Sequence, residues 1–310
     1  MIRNQSGLKR IVVPVPLNRE FKIPLRQAAY FHDLYGASIT VLHVVHEIPL
    51  FKRWLSPRLR RRNSEKAMQR LRNMVTECFK GKPIPDHMEF EVVTGDLIPS
   101  ILKVAEEKSA DLIIIKKARR IKDRKQPFKK ENADRLVSNS SCPVLTLHKE
   151  PETYEINRIL LPVDITKKTD NKVAWAKSLA KKFGAEIHVV SVQNMDIHRA
   201  HSLSYQKGRR IENDIRKDGI KVELILLKKG DRPMEEVVLG YAKEYRPDLL
   251  LIMTHQENIL FDNYLGSFAR EIIHKARVPV FSVVPRKETL MTELIDAMAE
   301  MTSTNKESSK

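Results

Sequence analysis

The sequence has no long hydrophobic run and few cysteines, and both absences narrow the class of protein. Its 310 residues contain no stretch of about 18 consecutive apolar residues, so we expect no membrane-spanning helix. The polar residues 1–10 lead directly into Ile11–Val15, whereas a secretory signal needs a longer apolar core and a small-residue cleavage site. Cys78 and Cys142 lack a disulfide-framework spacing and fit small buried side chains in a reducing compartment. We therefore expect a cytoplasmic protein.

Acidic residues are scarce in the first half of the chain. Residues 1–150 contain 30 Lys and Arg against 16 Asp and Glu, which gives a balance of +14. Residues 151–310 contain 26 against 23, a balance of +3, so most of the net charge of +17 belongs to the first half. Such asymmetry favours a local anionic partner more than a general effect on solubility.

The sequence does contain an internal repeat. Four segments of the first half recur in the second half in the same order: Lys9–Val15 with Asn157–Val163, Gly36–Val41 with Gly184–Val189, Ala110–Ile115 with Pro247–Ile252, and Cys142–Leu147 with Val278–Val283. The offsets are 148, 148, 137 and 136, and they change where a loop differs in length. This pattern indicates a duplicated domain, because solenoid repeats have much shorter periods.

Each copy alternates short apolar runs with segments of helical spacing. The runs of the second copy are Arg158–Val163, Glu186–Val192, Lys221–Leu227, Leu249–Met253 and Val278–Val284. Continuous Val, Ile and Leu runs are typical of strands that are buried on both faces of a parallel sheet. We predict an α/β fold with two tandem, doubly wound, parallel five-stranded sheets and right-handed crossovers. Ligands of such sheets lie outside the carboxyl ends of the strands, where the strand order reverses.

The expected boundaries are domain 1 over residues 1–150, domain 2 over residues 151–286, and a C-terminal segment over residues 287–310. The linker at residues 151–154 is short, so the two copies should pack together. In the C-terminal segment we expect a short helix followed by a disordered polar tail. The apolar stripe of this helix consists of Met291, Leu294, Ile295, Met298 and Met301. It would pack on the body of the protein or on a second chain.

Five segments of the second copy resemble the universal stress protein family, in order and at the expected spacing. They are Leu161–Asp164, Gly184–Ile187, Lys229–Asp231, Leu265–Ser267 and Val278–Val283. The resemblance extends over residues 5–148 and 154–285 and looks like the tandem members of that family. It implies an adenine nucleotide alpha hydrolase-like fold and a non-catalytic sensor or binding protein of the stress response.

The family resemblance also bears on how the two copies associate, because the last strands of the family pair to make dimers. Here those strands, Val144–Leu147 and Val280–Val284, are apolar and would be costly to leave exposed at a sheet edge. We therefore expect the two copies to form an internal pseudo-dimer. A homodimer of the whole chain is a further alternative.

Nucleotide-binding members of the family carry the motif Gly-x2-Gly-x9-Gly-[Ser/Thr] after the fourth strand. Glycine lets backbone N–H groups approach phosphates closely, and a helix N-terminus adds a favourable dipole. In copy two, Gly266 and Ser267 match the final pair, whereas Met253 and Gln256 replace the first two glycines. The resemblance implies a remodelled pocket for ATP, AMP or a related ligand in domain 2. Its residues would be Pro162, Asp164, Val192, Met253, Gln256, Gly266 and Ser267.

Two of these matches also have simpler explanations. Asp164 matches the aspartate that faces adenine at the end of the first strand, but aspartate is also a common turn residue. Gly266 and Ser267 are also ordinary residues for the start of a helix. Copy one has lost more of the motif, because Pro16 replaces the aspartate. At an offset of 136 its three glycine positions hold Lys117, Arg120 and Lys130, so we expect no cofactor in this degenerate, basic domain 1.

Basic residues are concentrated in two predicted loops of domain 1 that should emerge at the same end of the sheet. Lys116–Lys130 holds nine basic residues and one acid, and the region after the second strand holds Lys52, Arg53, Arg58, Arg60, Arg61 and Arg62. An alternative function is therefore a polyanion-binding interaction protein with vestigial nucleotide sites. Its anion-binding residues would be Arg60, Arg61, Lys117, Arg119 and Arg120, and its affinity would depend on salt. Solvated loops explain the same charge, and no signature of sequence-specific nucleic-acid binding occurs.

Catalytic and metal sites are not predicted. His198 and His201 lie near Asp196, and His43 lies near His46, but neither group has an evident third or fourth ligand. No Ser-His-Asp or Cys-His arrangement can be assigned. A nucleotide hydrolase or kinase-like enzyme would need a magnesium-binding carboxylate pair or a Walker lysine, and neither appears in the right context.

Overall fold

A computed structural model describes residues 7–46, 57–81, 83–117, 128–165, 169–193, 203–254 and 265–284. Domain 1 contributes β1 (Arg10–Pro14), α1 (Lys22–Tyr35), β2 (Ser38–Val45), α2 (Pro57–Cys78), β3 (Met88–Thr94), α3 (Leu97–Glu107), β4 (Leu112–Lys116), α4 (Lys130–Asn139) and β5 (Val144–Leu147), with a 3-10 turn at Arg19–Phe21. Domain 2 contributes β6 (Arg158–Pro162), α5 (Asp170–Phe183), β7 (Glu186–Gln193), α6 (Leu203–Lys217), β8 (Val222–Lys228), α7 (Met234–Tyr245), β9 (Leu249–Met253), α8 (Ser267–Lys275) and β10 (Val280–Val283). The expected C-terminal helix and tail lie outside the described residues.

The described strands form one sheet in the order β3-β2-β1-β4-β5-β10-β9-β6-β7-β8. Neighbouring strands are parallel within each domain, which confirms the doubly wound fold. The exception is the junction between the domains, where β5 and β10 pair antiparallel with Phe281 opposite Leu145. The two predicted five-stranded sheets are therefore joined edge to edge, as the expected pseudo-dimer requires. This pairing satisfies the backbone groups of two apolar edges that would otherwise be exposed.

Helices cover both faces of the sheet and divide the core into two layers. One layer lies under α1, α2, α5 and α6 and includes Phe31, Leu71 and Leu179. The other lies under α3, α4, α7 and α8 and includes Ile101 and Ile272. Strands that are covered on both faces must be apolar at successive positions, which explains the continuous runs in the sequence.

The repeat is visible in the way that α1 and α5 end. Gly36 and Gly184, which are 148 positions apart, both adopt the left-handed conformation, with φ values of 63° and 69°. Each donates its backbone N–H to the carbonyl four residues earlier, and glycine adopts this conformation without a Cβ penalty. The preceding residues, Tyr35 and Phe183, meet edge to face with ring centroids 6.2 Å apart. The two copies therefore also contact each other through equivalent helix ends.

Two further expectations concern membranes and cysteines. Within the described residues, no helix combines the length and the apolarity that crossing a membrane requires. Cys78 and Cys142 are both buried, free thiols, as their spacing indicates. The expected cytoplasmic location stays a prediction.

Candidate functional site

The candidate nucleotide site of domain 2 lies where the strand order reverses. β6 pairs with β7 on one side and with β9 on the other, all in parallel. Pro162 ends β6, Val192 is the penultimate residue of β7, and Met253 ends β9. The fold thus brings three of the predicted residues to the carboxyl edge of neighbouring strands, which is where doubly wound sheets bind ligands.

A buried lysine, which sequence reasoning missed, supports the end of β6. Lys172 is 2% exposed, and its Nζ donates to the carbonyl oxygen of Pro162 at 2.8 Å. A buried ammonium is costly unless it is hydrogen-bonded, so this contact fixes a positive charge beside the strand end. Asp164 follows two residues after Pro162 and is half-buried. The signal in the sequence was the i, i+4, i+7 spacing of Lys172 with Ala176 and Leu179, which places the lysine on the buried face of α5.

Thr254, which sequence reasoning also missed, links the end of β9 to the start of α8 through hydrogen bonds. It is fully buried, and its backbone N–H and its Oγ1 lie 3.0 and 3.3 Å from the carbonyl oxygen of Val283. Its own carbonyl oxygen accepts the backbone N–H of Gly266 at 3.1 Å. Gly266 is the N-cap of α8 and is buried, whereas Ser267 is exposed. The N-terminus of α8 is thereby held one strand away from Pro162, and Gln256 lies outside the described residues.

The corresponding region of domain 1 corrects one alignment made from the sequence. β4 corresponds to β9 at an offset of 137, and the α4 N-cap Lys129 corresponds to Gly266 at the same offset. The offset becomes 136 only afterwards, because α4 has 10 residues and α8 has 9. The domain 1 counterparts of Met253 and Gly266 are therefore Lys116 and Lys129, and the assignment to Lys117 and Lys130 was wrong.

Lys116 changes the chemistry of the domain 1 crevice. Its side chain is 11% exposed, and Nζ forms an ion pair with Glu20 of the 3-10 turn after β1. The pair occupies the position where a family glycine would let backbone approach a phosphate. A cleft of about 520 Å³ remains at the ends of β1 and β2, and His43 and His46 are among its lining residues. Burial lowers the pKa of His43, whose Nδ1 lies 2.9 Å from the Val15 carbonyl oxygen.

His43 and His46 are not joined by a third potential metal ligand in the part of the chain that the structure describes. Among the residues with described positions, no group of three or more His, Cys, Asp or Glu side chains is placed to hold a metal ion. His198 and His201, the other histidine pair of the sequence, lie outside the described residues.

Lys117, a predicted anion-binding residue, is engaged in a contact between the domains. It is 8% exposed, and its Nζ donates to the carbonyl oxygen of His274 at 3.0 Å, near the end of α8. A cation at a helix C-terminus interacts favourably with the helix dipole. His274 Nε2 also lies 2.7 Å from Asp134 Oδ1, and His148 Nε2 lies 2.8 Å from the Ile273 carbonyl oxygen. Lys117 thus belongs to a polar junction of α8 with domain 1.

The remaining predicted anion-binding residues occupy different positions. Arg60 and Arg61 were expected in a loop, but they belong to α2, which begins at Pro57. The Arg61 side chain is 85% exposed and pairs with Glu65 at 3.1 Å in the same helix. Arg119 and Arg120 lie outside the described residues.

Helix α2 carries a row of cations that sequence reasoning did not distinguish. Arg62, Lys66 and Arg70 recur at every fourth residue, and all three are exposed. No ion pair joins any of them to another described residue. The buried stripe of the helix runs through Ala67 and Leu71, on a different face. Three basic residues of domain 1 therefore form a regular row along this helix.

Comparisons with known proteins agree with this architecture. The model of the universal stress protein family matches residues 7–148 and 155–283. A universal stress protein from Archaeoglobus fulgidus is 18% identical, with a TM-score of 0.69 over 92% of this chain and 100% of the other. A putative universal stress protein from Pseudomonas aeruginosa is 16% identical, with a TM-score of 0.66 over 95% of this chain and 99% of the other. No curated protein sequence matches the chain.

These two structural matches span both halves of the chain, and at their level of identity they show the fold. The family model adds sequence evidence, because it matches each half separately and together covers most of the 310 residues. The boundaries of the two matches fall on either side of the linker. The chain therefore belongs to the universal stress protein family and carries two tandem copies of its domain.

Proposed function

We propose that this protein is a non-catalytic binding protein of the stress response that takes an adenine nucleotide, ATP or AMP, or a related ligand in domain 2. One observation carries the proposal: Thr254 holds the N-terminus of α8 at the end of β9, the strand that pairs with β6, and Asp164 follows the end of β6 by two residues. A helix N-terminus offers unpaired backbone N–H groups and a partial positive charge to a phosphate. The family resemblance of Asp164, Gly266 and Ser267 supports the same placement.

The residues of the site suggest roles in this binding. The Asp164 carboxylate would accept a hydrogen bond from the exocyclic amine of adenine, and Val192 would contact the ring. The first turn of α8, with Ser267, would bind phosphate oxygens. Met253 and Gln256 have longer side chains than the glycines of the family motif at these positions, which would leave less room along the phosphate chain. We therefore expect AMP to bind more tightly than ATP.

The proposal is tested by mass spectrometry of small molecules released from purified, denatured protein, followed by titration with AMP and ATP. We expect an adenine nucleotide from the wild type and its loss from Asp164→Ala. The matched control is Pro16→Ala, at the equivalent position of domain 1, which should keep the ligand. Absence of any released nucleotide together with no binding of AMP or ATP at millimolar concentration would contradict the proposal.

A second candidate function is polyanion binding by domain 1, and the cation row of α2 favours it. Residues four apart on a helix are separated by about 6 Å along the axis, so Arg62, Lys66 and Arg70 form a regular line of charge. Like charges at this spacing destabilise a helix by about 0.2–0.5 kcal/mol per pair, a cost that a bound polyanion would remove. With three phosphates neutralised, the slope of log K against log salt for duplex DNA would be about −2.7.

The polyanion proposal is tested by heparin retention and by the salt dependence of DNA binding. We expect the triple variant Arg62→Glu, Lys66→Glu and Arg70→Glu to elute at much lower salt than the wild type. The control reverses two exposed cations of α6 in domain 2, Arg210 and Lys217, and should elute close to the wild type. Charge reversal at Arg60, Arg61, Arg119 and Arg120 tests the originally predicted residues. Unchanged retention in both domain 1 variants would refute this function.

A further inference from the structure

A second large cleft, of about 590 Å³, lies in domain 1 away from the crevice at the ends of β1 and β2. It is formed by α1, the end of α2 and the residues that lead into β3, and Tyr154 of the linker borders it. Tyr30, Phe79 and Ile84 give it an apolar lining. Ile84 is 41% exposed and is one of two large hydrophobic side chains that are exposed among the described residues. The cleft therefore presents apolar surface that the described part of the chain leaves uncovered.

The cleft opens at the edge of the sheet where the strands of domain 1 begin. His32 and Asp33 near the end of α1, Lys80 after α2, and residues 83–86 before β3 all lie among its lining residues. β10 runs antiparallel to β5, so its carboxyl end lies at this same edge. The chain thus leaves domain 2 at the same edge of the sheet, at the strand ends, where the domain 1 cleft opens.

The chain that follows β10 is long enough to reach the cleft. Four strand steps separate β10 from β2 in the sheet order, a distance of about 19 Å at ~4.8 Å per step. Residues 285–290 alone can span about 20 Å when extended. The apolar residues that begin at Met291 therefore fall within reach of the cleft.

Charge and side-chain chemistry point to the same segment as the occupant. Residues 287–301 contain one lysine and four acidic residues, Glu288, Glu293, Asp296 and Glu300, so their net charge is −3. Domain 1 as a whole has a balance of +14, which favours encounter with an acidic segment, whereas the lining of the cleft itself balances Arg26 and Lys80 against Asp33 and Asp86. Three of the five residues in the apolar stripe are methionines, whose flexible side chains adapt to irregular apolar surfaces.

We propose that residues 287–301 of this chain dock into the domain 1 cleft as an amphipathic helix. The stripe formed by Met291, Leu294, Ile295, Met298 and Met301 would cover Tyr30, Phe79 and Ile84. The contact ties the end of domain 2 to domain 1, in addition to the β5–β10 pairing. It does not depend on nucleotide or polyanion binding.

Cys78 provides a direct probe, because it lines the cleft and is one of only two cysteines. Its alkylation by N-ethylmaleimide is followed peptide by peptide in the full chain and in a chain that ends at Arg286. We expect Cys78 to react about tenfold faster in the shortened chain, as when a docked segment covers the cleft in about nine molecules of ten. Cys142, buried in the other core layer, is the internal control and should react equally in both. Equal Cys78 rates would overturn the proposal.

Point variants separate docking from a general effect of shortening the chain. Leu294→Glu with Met298→Glu should reproduce the faster Cys78 reaction. Thr292→Glu with Ala297→Glu adds the same charge at the borders of the stripe and should leave Cys78 protected. Protection that increases with protein concentration would instead identify a second copy as the occupant and overturn docking within one chain.

Hydrogen exchange provides a measurement that does not need a reactive thiol. Burial raises the pKa of the Cys78 thiol, so its alkylation at neutral pH is slow in either chain. Phe79, Lys80, Ile84 and Asp86 line the cleft, and their backbone amides should exchange about tenfold faster in the shortened chain. Identical exchange in the two chains would contradict the proposal whatever the thiol does.

Discussion

Acid should weaken the polar junction between the domains through His148. This residue follows β5, and its Nε2 lies 2.8 Å from the Ile273 carbonyl oxygen of α8. Its Nδ1 is buried and has no hydrogen-bond partner among the described residues. Burial lowers the pKa of His148 from its usual value to about 4, and the nearby Lys117 and His274 add to this effect. Protonation would therefore place a positive charge in a buried position, where its desolvation is costly.

The size of the effect follows from linkage. The folded-state pKa of His148 lies below the unfolded value of about 6.5, so the full stabilisation is present above that unfolded value. Stability is then lost as the pH falls towards 4, with a limiting cost of about 3 kcal/mol for His148. Between about pH 7 and about pH 5 the expected cost is about 2 kcal/mol.

The assay is urea-induced unfolding at the two pH values for the wild type and for His148→Gln. Glutamine keeps an N–H donor for the Ile273 carbonyl oxygen but does not titrate in this range. The variant will lose packing at both pH values. The quantity to compare is therefore the decrease in unfolding free energy from the higher to the lower pH within each protein. We expect this loss to be about 2 kcal/mol larger in the wild type. Equal losses in the two proteins would refute the reasoning.

Three further predictions concern stability. Gly184→Ala should lower the free energy of unfolding by about 1 kcal/mol, because φ is positive at this residue. Gly240→Ala, at an exposed helix position with open space for a Cβ, should raise the free energy of unfolding by up to about 1 kcal/mol in the same urea assay. Lys117→Met should lower the unfolding free energy by about 1–3 kcal/mol without changing heparin retention, and earlier elution of this variant would contradict its structural role. Phe281→Ala removes a fully buried ring beside Trp175 and should cost about 3–5 kcal/mol by urea unfolding, and a loss below about 1 kcal/mol would show that the ring is not packed at this junction.

The strands of domain 2 were predictable because their sequence pattern is local. The run Leu249–Met253 is the observed β9, and Glu186–Val192 differs from β7 by one residue. Strands covered on both faces need apolar residues at successive positions, so a short run of neighbouring residues is enough to identify such a strand. The pairing of β5 with β10 was not local, and it was predicted from the family resemblance and the cost of two bare apolar edges. Its antiparallel direction comes from the structure.

The candidate sites were less predictable because charge alone does not give the place of a side chain. Arg60 and Arg61 were assigned to a loop since basic residues dominate the segment, yet a thin stripe through Ala67 and Leu71 is enough to bury one face of α2. Lys117 looked like part of a basic loop, and its partner His274 lies 157 positions away. No pattern within a short window reports such a contact.

The crevices of the two domains differ at two equivalent positions. In domain 1 they hold Lys116 and Lys129, and Lys116 is paired with Glu20 inside the fold. In domain 2 they hold Met253 and Gly266, so no side-chain cation enters the crevice from either position. An anionic ligand in domain 1 would have to compete with Glu20 for Lys116, whereas in domain 2 it would meet the backbone N–H groups at the start of α8. This difference between the two crevices is the reason why the nucleotide proposal is confined to domain 2.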